Sequence, residues 1–280
     1  KTDPLADLTF NKTQGNPFFA TQLLKALYSE KLLVYRVGNG WEWNLQEIQA
    51  VGIADYNVVE LMARNIQKLP EDTQDVLKLA ACIGNQFNLE VLAIALGKPP
   101  TIAAAYLWPA LEAGSILPRS DAYKIPLVFA EDETSRLRDV KVDYKFLHDR
   151  VQQAAYSLIP ESQKKETHLK IGQLLLENTT VEEREDNIFA LVNQLNFGID
   201  LLSARTEKDE LAMLNAIAAK KAKASAAYEA NLNYLKLALK LLGDDSWSRN
   251  YQFTFQVYTA AQEAEYLNGN FDAADLLAEA

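Results

Sequence analysis

Residues that could carry out chemistry are few in this sequence. It has two histidines, His148 and His168, and one cysteine, Cys82. It contains no G-x-x-x-x-G-K-[ST] phosphate loop, G-x-S-x-G elbow, H-E-x-x-H pair or C-x-x-C pair. A zinc site would need carboxylates at a spacing that nothing here singles out, and pairs such as Glu182-Glu183 suit solvated helix faces. The residue types therefore favour a chain with no catalytic centre or metal site of its own.

The most informative chemical pattern is Phe146-Leu-His-Asp-Arg-Val-Gln-Gln-Ala-Ala-Tyr. A strand is expected to end at His148, and Asp149 is well placed to cap the helix that follows. A neutral imidazole at such a junction can donate to an anion, and helix N-termini attract phosphate. The alternative is that Asp149 is only a cap and His148 a satisfied boundary residue. His168, on a Lys-rich helical stretch, is predicted to be a solvated or partly packed surface residue.

The elements that position these residues are mostly helices. Helical periodicity begins at Pro17, and two short β-branched or aromatic runs around Gly38-Asn-Gly40 predict a hairpin. The next segments follow the order helix, helix, helix, strand, polar loop (130–139) and strand, which is that of a winged helix. From Asp149 onward the pattern is helical, with breaks near Pro160 and, further on, near Thr179, Ser203–Thr206 and Gly243. Further helices are predicted at about 57–68, 71–83, 88–96 and 101–113.

DNA binding is disfavoured by the predicted recognition helix at 101–113. It carries no Lys or Arg to meet phosphates and no Asn or Gln to read base edges. Pro109 is expected to kink this helix or end it early. The formal charge of −10 also repels phosphate backbones and anionic membranes. We therefore expect neither nucleic acid nor a membrane as partner.

A faint internal repeat runs through the helical half. The segment around Tyr228 resembles the segment around Phe271, at an offset of 271 − 228 = 43 residues. A small residue where two helices cross and an aromatic that opens the second helix are typical of stacked helix pairs. The interpretation is the start of a solenoid, with a simple helical bundle as the alternative. Either arrangement predicts a surface for protein partners.

Length and composition predict a soluble, cytoplasmic protein of about two domains. The 280 residues are 49% hydrophobic and 24% charged, and apolar stretches such as Val91–Leu96 are too short to cross a bilayer. The single cysteine leaves no internal disulfide, which favours a reducing compartment. The chain opens with Lys1 and stops at Ala280 inside a helical pattern, so we expect a fragment of a longer protein.

Several segments together resemble the STAND-type AAA ATPase module. They look like the version found within large cyanobacterial multi-sensor signal-transduction kinases, between a serine/threonine kinase domain and GAF and histidine-kinase domains. The resemblance covers nearly the whole chain, and its most specific part is the block from Phe146 to Ile159. The segments are Gly15-Asn-Pro-Phe-Phe, the hairpin Leu33 to Trp43, Lys68-Leu-Pro, Leu77 to Gly84 and Phe146 to Ile159.

The resemblance implies a mainly α fold in three parts. Residues 1–69 would be the end of the helical lid with its β-hairpin, 70–159 a winged-helix domain, and 160–280 a truncated TPR-like helical array. The Walker segments would lie upstream of Lys1. ATP or ADP would therefore bind the parent protein, with none expected to bind this fragment alone.

The resemblance also implies nucleotide-sensing residues. In related switches a Gly-x-Pro turn of the lid packs near the adenine, and the histidine of a His-Asp pair touches the ADP β-phosphate. On this sequence the matching residues are Pro17 and His148, with Gly15 shaping the turn and Asp149 orienting the junction.

The leading hypothesis is a regulatory, non-catalytic segment of a signal-transduction kinase. It would couple the nucleotide state of an upstream P-loop domain to helical repeats that bind a protein partner or a neighbouring kinase or sensor domain. The fragment itself is expected not to be an enzyme, whereas the parent would be an ATP-using serine/threonine or histidine kinase. The alternatives are a pure protein-interaction scaffold and a part of an ATPase-containing transcriptional regulator.

Overall fold

The computed structural model describes residues 3–50, 57–126 and 141–279, and confirms the predicted mainly α class. The chain forms two compact units, Lys1–Pro160 and Glu161–Ala280. The predicted division of the first unit at residue 69, into the end of a lid and a winged helix, stays a prediction. The elements of the first unit are α1 (Asp3–Thr13), α2 (Pro17–Ser29), β1 (Leu33–Arg36), β2 (Gly40–Trp43), α3 (Leu45–Ala50), α4 (Val58–Gln67), α5 (Glu71–Ile83), β3 (Gln86–Asn88), α6 (Leu89–Leu96), α7 (Pro100–Glu112), β4 (Ile116–Pro118), β5 (Asp143–Phe146) and α8 (Asp149–Ser157).

The predicted hairpin is confirmed. Strands β1 and β2 pair antiparallel, with Leu33 opposite Trp43 and Arg36 opposite Gly40. Gly38 in the turn and Gly40 at the start of β2 have φ +94° and +83°, a region that favours glycine.

A second antiparallel sheet has the strand order β3-β5-β4. Phe87 lies opposite Tyr144, and Ile116 lies opposite Phe146. These aromatic rings pack at 5.6–5.7 Å between centroids and are buried with the apolar faces of α5, α7 and α8. The three-residue strand β3 was not predicted, because so short a run shows no alternation. The predicted polar loop at 130–139 lies outside the described residues.

Pro109 was predicted to kink its helix or end it early; the early end is wrong, and the kink stays a prediction. Helix α7 continues through Pro109 to Glu112. A proline that late in a helix removes only one backbone hydrogen bond, the one to the carbonyl of Ala105. Ala105 lies on the exposed side of the helix.

The second unit is helical throughout its described residues, apart from short connections. Glycines allow α9 and α11 to pack closely: an added Cβ on Gly172 would lie 2.6 Å from Leu195 Cδ2. An added Cβ on Gly198 would lie 2.7 Å from Leu169 Cβ. The elements are α9 (Glu161–Asn178), α10 (Val181–Asp186), α11 (Ile188–Phe197), α12 (Arg205–Ala224), α13 (Tyr228–Leu242), α14 (Ser246–Arg249), α15 (Tyr251–Leu267) and α16 (Phe271–Ala278).

The 43-residue offset is visible in two turns of the backbone. The turn between α12 and α13 and the turn between α15 and α16 each have three residues. Ala227 N donates to Ala222 O, and Asn270 N donates to Glu265 O. The middle residues, Ala226 and Gly269, both have positive φ, +57° and +80°. The two turns thus have the same conformation at the predicted spacing, whereas a TPR-like array stays a prediction.

Candidate functional site

The four residues predicted to sense nucleotide lie where α2 and α8 begin. Gly15 and Pro17 are at the start of α2, and His148 and Asp149 are at the start of α8. His148 is half-buried, whereas the other three are exposed.

The start of α2 is fixed by three consecutive residues. Gly15 has a φ of +75°, which an L side chain rarely adopts. Asn16 is the N-cap, and its side-chain oxygen accepts hydrogen bonds from Phe18 N (3.0 Å) and Phe19 N (3.3 Å). Pro17 occupies the first helical position, as predicted. Asn16 was not singled out from the sequence, although Asn before Pro is an N-cap signal.

His148, rather than Asp149, is the N-cap of α8. The chain leaves β5 extended through His148, at φ −155° and ψ 151°, and its Nδ1 accepts a hydrogen bond from Arg150 N at 3.2 Å. Asp149 is already the first helical residue, so the prediction that it caps the helix is wrong. Its carboxylate still lies in the first turn, where the helix dipole favours negative charge.

The aromatic rings of α2 hold the imidazole of His148. Phe18 stacks on it, with ring centroids 4.6 Å apart and planes inclined by 8°. Phe19 meets it edge-on at 5.6 Å. The structure therefore brings His148 against the helix that Pro17 opens. Phe18 and Phe19 belong to the Gly15-Asn-Pro-Phe-Phe segment of the resemblance, but their contact with His148 was not predicted, because ring stacking across 130 residues leaves no local signal.

The hydrogen bond at Nδ1 determines what His148 can do. A neutral imidazole that accepts at Nδ1 carries its proton on Nε2, so Nε2 is a hydrogen-bond donor. Phe18, Phe19, Asp149 and Arg150 provide neither a nucleophile nor a paired carboxylate beside it. The arrangement is suited to binding an acceptor, not to acid–base chemistry.

A cleft of about 220 Å³ begins one residue from His148, between α2, α4 and α8. Leu147 and Val151 line it on the α8 side, and Lys25 and Lys68 bring two cations to it. Lys68 Nζ lies 2.6 Å from a carboxylate oxygen of Glu30, and its hydrogen bond lowers the pKa of Glu30. The charges at the cleft are thus partly balanced by the protein itself.

His168 is buried, so the prediction of a solvated or partly packed surface residue is wrong. Its Nδ1 lies 2.6 Å from Gln194 Oε1, and its ring packs 4.1 Å from that of Phe197. Burial lowers the pKa of His168, although the hydrogen bond with Gln194 opposes this shift. The residue joins α9 to α11 within the core of the second unit.

Two further features bear on the class of protein. Within residues 3–50, 57–126 and 141–279, no group of three or more His, Cys, Asp or Glu side chains could hold a metal ion. Over the same residues no single helix is long and apolar enough to cross a membrane, and α6 and α7 reach that length only as a pair bent by 104°.

Comparison with known proteins shows similarity to a signalling protein. The chain is 30% identical, over 326 residues, to hybrid signal transduction histidine kinase G from Dictyostelium discoideum. The similarity covers 100% of this chain but 9% of that protein's length. No protein-family model and no solved structure matches the chain. The similarity supports a signal-transduction kinase context and fits a regulatory segment of a signalling protein.

Proposed function

We propose that this chain is the regulatory, non-catalytic segment of a STAND-type ATPase within a multidomain signal-transduction kinase. It would sense whether an upstream P-loop domain holds ADP or ATP and transmit that state to protein partners or to neighbouring kinase or sensor domains. The observation that carries the proposal is the position of His148, which caps α8 and stacks on the first turn of α2. A cytoplasmic location follows from this role.

The fold around His148 supports the proposal. A three-helix, three-stranded arrangement, in the order α5-β3-α6-α7-β4-β5, is the order of a winged helix, and His148 follows its last strand. Pro17 and Gly15 belong to a turn that the resemblance assigns to the adenine side of a nucleotide. Because Nε2 of His148 is a donor, it can meet a phosphate oxygen without loss of the helix cap.

In this proposal the helical repeats bind the protein partner. The turns at Ala226 and Gly269 repeat one backbone conformation between paired helices, and solenoids build extended binding surfaces from such repeated helix pairs. The repeat also favours the second candidate, a pure protein-interaction scaffold. In that case nucleotide would have no effect on partner binding.

The test uses the full-length protein and a fluorescent ADP analogue. His148→Asn keeps a good N-cap but replaces the imidazole, so it should speed ADP release about tenfold or more, the loss expected for one hydrogen bond to a charged group. Asn57 caps α4 through its own side chain, in a capping box with Glu60. Asn57→Ala is therefore the matched control and should leave release unchanged. Unchanged ADP release in His148→Asn, or no ADP binding by the full-length protein, would refute the proposal.

A further inference from the structure

A cavity of about 330 Å³ lies within the second unit, among α9, α10, α11 and α12. Its apolar lining is made of leucines alone. Pockets for small molecules start near this size and combine apolar walls with a few placed polar groups. The leucines are Leu176, Leu195, Leu202, Leu211 and Leu214.

Arg184 supplies the positive charge of this leucine cavity. One of its terminal nitrogens, Nη2, donates to the carbonyl of Leu176 near the end of α9. Its Nε is buried, and no acceptor in the described part of the chain lies within hydrogen-bond distance of it. A buried donor without a partner is unfavourable, and more so on a charged group. The guanidinium also lines the cavity, and guanidinium groups form charge-assisted hydrogen bonds with carboxylates, so its place in the lining suits a ligand carboxylate.

Three carboxylates line the same cavity: Glu177, Glu207 and Glu210. Glu207 already accepts from the backbone of Ala204 at 3.3 Å, whereas Glu177 and Glu210 are exposed side chains. These glutamates do not belong to a cluster that could hold a metal ion. Their charge suits an ammonium group, which donates hydrogen bonds to several oxygen atoms without the fixed geometry of a metal.

We propose that the leucine cavity binds a free α-amino acid with a branched apolar side chain. Its carboxylate would accept from Arg184, its ammonium group would donate to Glu210 or Glu177, and its side chain would contact the leucines. A zwitterion matches the mixed charges of the lining, which neither a simple anion nor a simple cation does. The chain would then respond to an amino acid as well as to the proposed nucleotide state.

The test is calorimetric titration of the 280-residue chain with L-leucine, L-isoleucine and L-valine, after its cooperative unfolding has been recorded. At least one of them should bind at a single site. Two leucine analogues separate the contacts: 3-methylbutylamine lacks the carboxylate, and 4-methylpentanoate lacks the ammonium group. Each should bind at least about tenfold more weakly than L-leucine, because each loses a charge-assisted contact.

Variants assign the site to the cavity. Glu210→Gln and Arg184→Gln should each weaken amino-acid binding by about tenfold or more. Glu229→Gln, at an exposed carboxylate of α13 outside the cavity, is the matched control and should bind normally. Arg184 also donates a hydrogen bond to α9, so a change there affects the stability of the unit as well as ligand binding. Glu210 is exposed, so Glu210→Gln tests ligand binding with the smaller effect on stability. The proposal is overturned if no amino acid saturates the chain at about 10 mM, if the amine binds as tightly as leucine, or if Glu210→Gln binds normally.

Discussion

Substituting Ala226 by glycine should stabilise the second unit. Ala226 is exposed and has a φ of +57°, in the left-handed region where a Cβ is unfavourable by about 1–2 kcal/mol. Part of this gain is lost, because glycine has more freedom in the unfolded chain. The net expectation is about 0.5–1 kcal/mol of added stability. Gly269 occupies the same place in the second turn, at φ +80°, and Gly269→Ala should lose about the same amount.

The size of the effect on Tm follows from the size of the unit. Glu161–Ala280 has an unfolding entropy of about 0.25 kcal/mol/K at about 2.1 cal/mol/K per residue. A gain of about 0.5–1 kcal/mol should therefore raise its Tm by about 2–4 °C.

Differential scanning calorimetry and urea unfolding of the chain measure this change. Ala224→Gly is the matched control, because Ala224 ends α12, where glycine is less favourable than alanine. Ala226→Gly should raise Tm while Ala224→Gly lowers it. A lower Tm for Ala226→Gly, or an unchanged Tm for Gly269→Ala, would refute the argument that backbone conformation governs both turns.

Two other substitutions test the packing of α9 against α11. Gly172→Ala should destabilise the second unit by about 1–3 kcal/mol in urea unfolding, because the new Cβ would lie 2.6 Å from the side chain and 3.1 Å from the backbone nitrogen of Leu195; an unchanged midpoint would contradict this. The lowered pKa of His168 means that the folded state binds fewer protons than the unfolded one, so stability should fall as pH decreases below about 6.5. His168→Gln should reduce that slope between pH 7 and 5, and an identical slope in both proteins would argue against it.

Helices whose ends carry local signals could be predicted closely. Asn57 forms a capping box with Glu60, and the predicted helix at 57–68 is α4, Val58–Gln67. Pro70 precedes two acids, and the predicted helix at 71–83 is α5. In both cases the signal lies within four residues, so it is readable in a single sequence.

Two of the errors concern residues beside or within the segments of the two histidines. His168 follows two lysines and a glutamate, which indicates a polar surface, yet Gln194 and Phe197 on α11 cover it. At the start of α8 both His148 and Asp149 are compatible with a cap, and the extended exit from β5 selects His148. The burial of His168 depends on residues of α11, which periodicity within α9 does not reveal. The choice of cap depends on the backbone conformation at His148, which capping preferences alone do not fix between two adjacent residues that can both cap.

His148 caps α8 through its Nδ1 and offers a hydrogen-bond donor at its Nε2. Two variants distinguish which of these roles of His148 holds a nucleotide. Its Nδ1 stabilises the start of α8, and Gln152 of that helix donates to the carbonyl of Ala81 on α5 at 3.0 Å. His148→Asn and His148→Ala both remove the Nε2 donor, but the alanine variant also loses the cap, at about 1 kcal/mol of stability. If the nucleotide is held by the donor alone, both variants should release ADP at the same rate. Faster release from His148→Ala would mean that the helix start itself differs between the nucleotide states, because a ligand shifts an equilibrium only by its differential affinity.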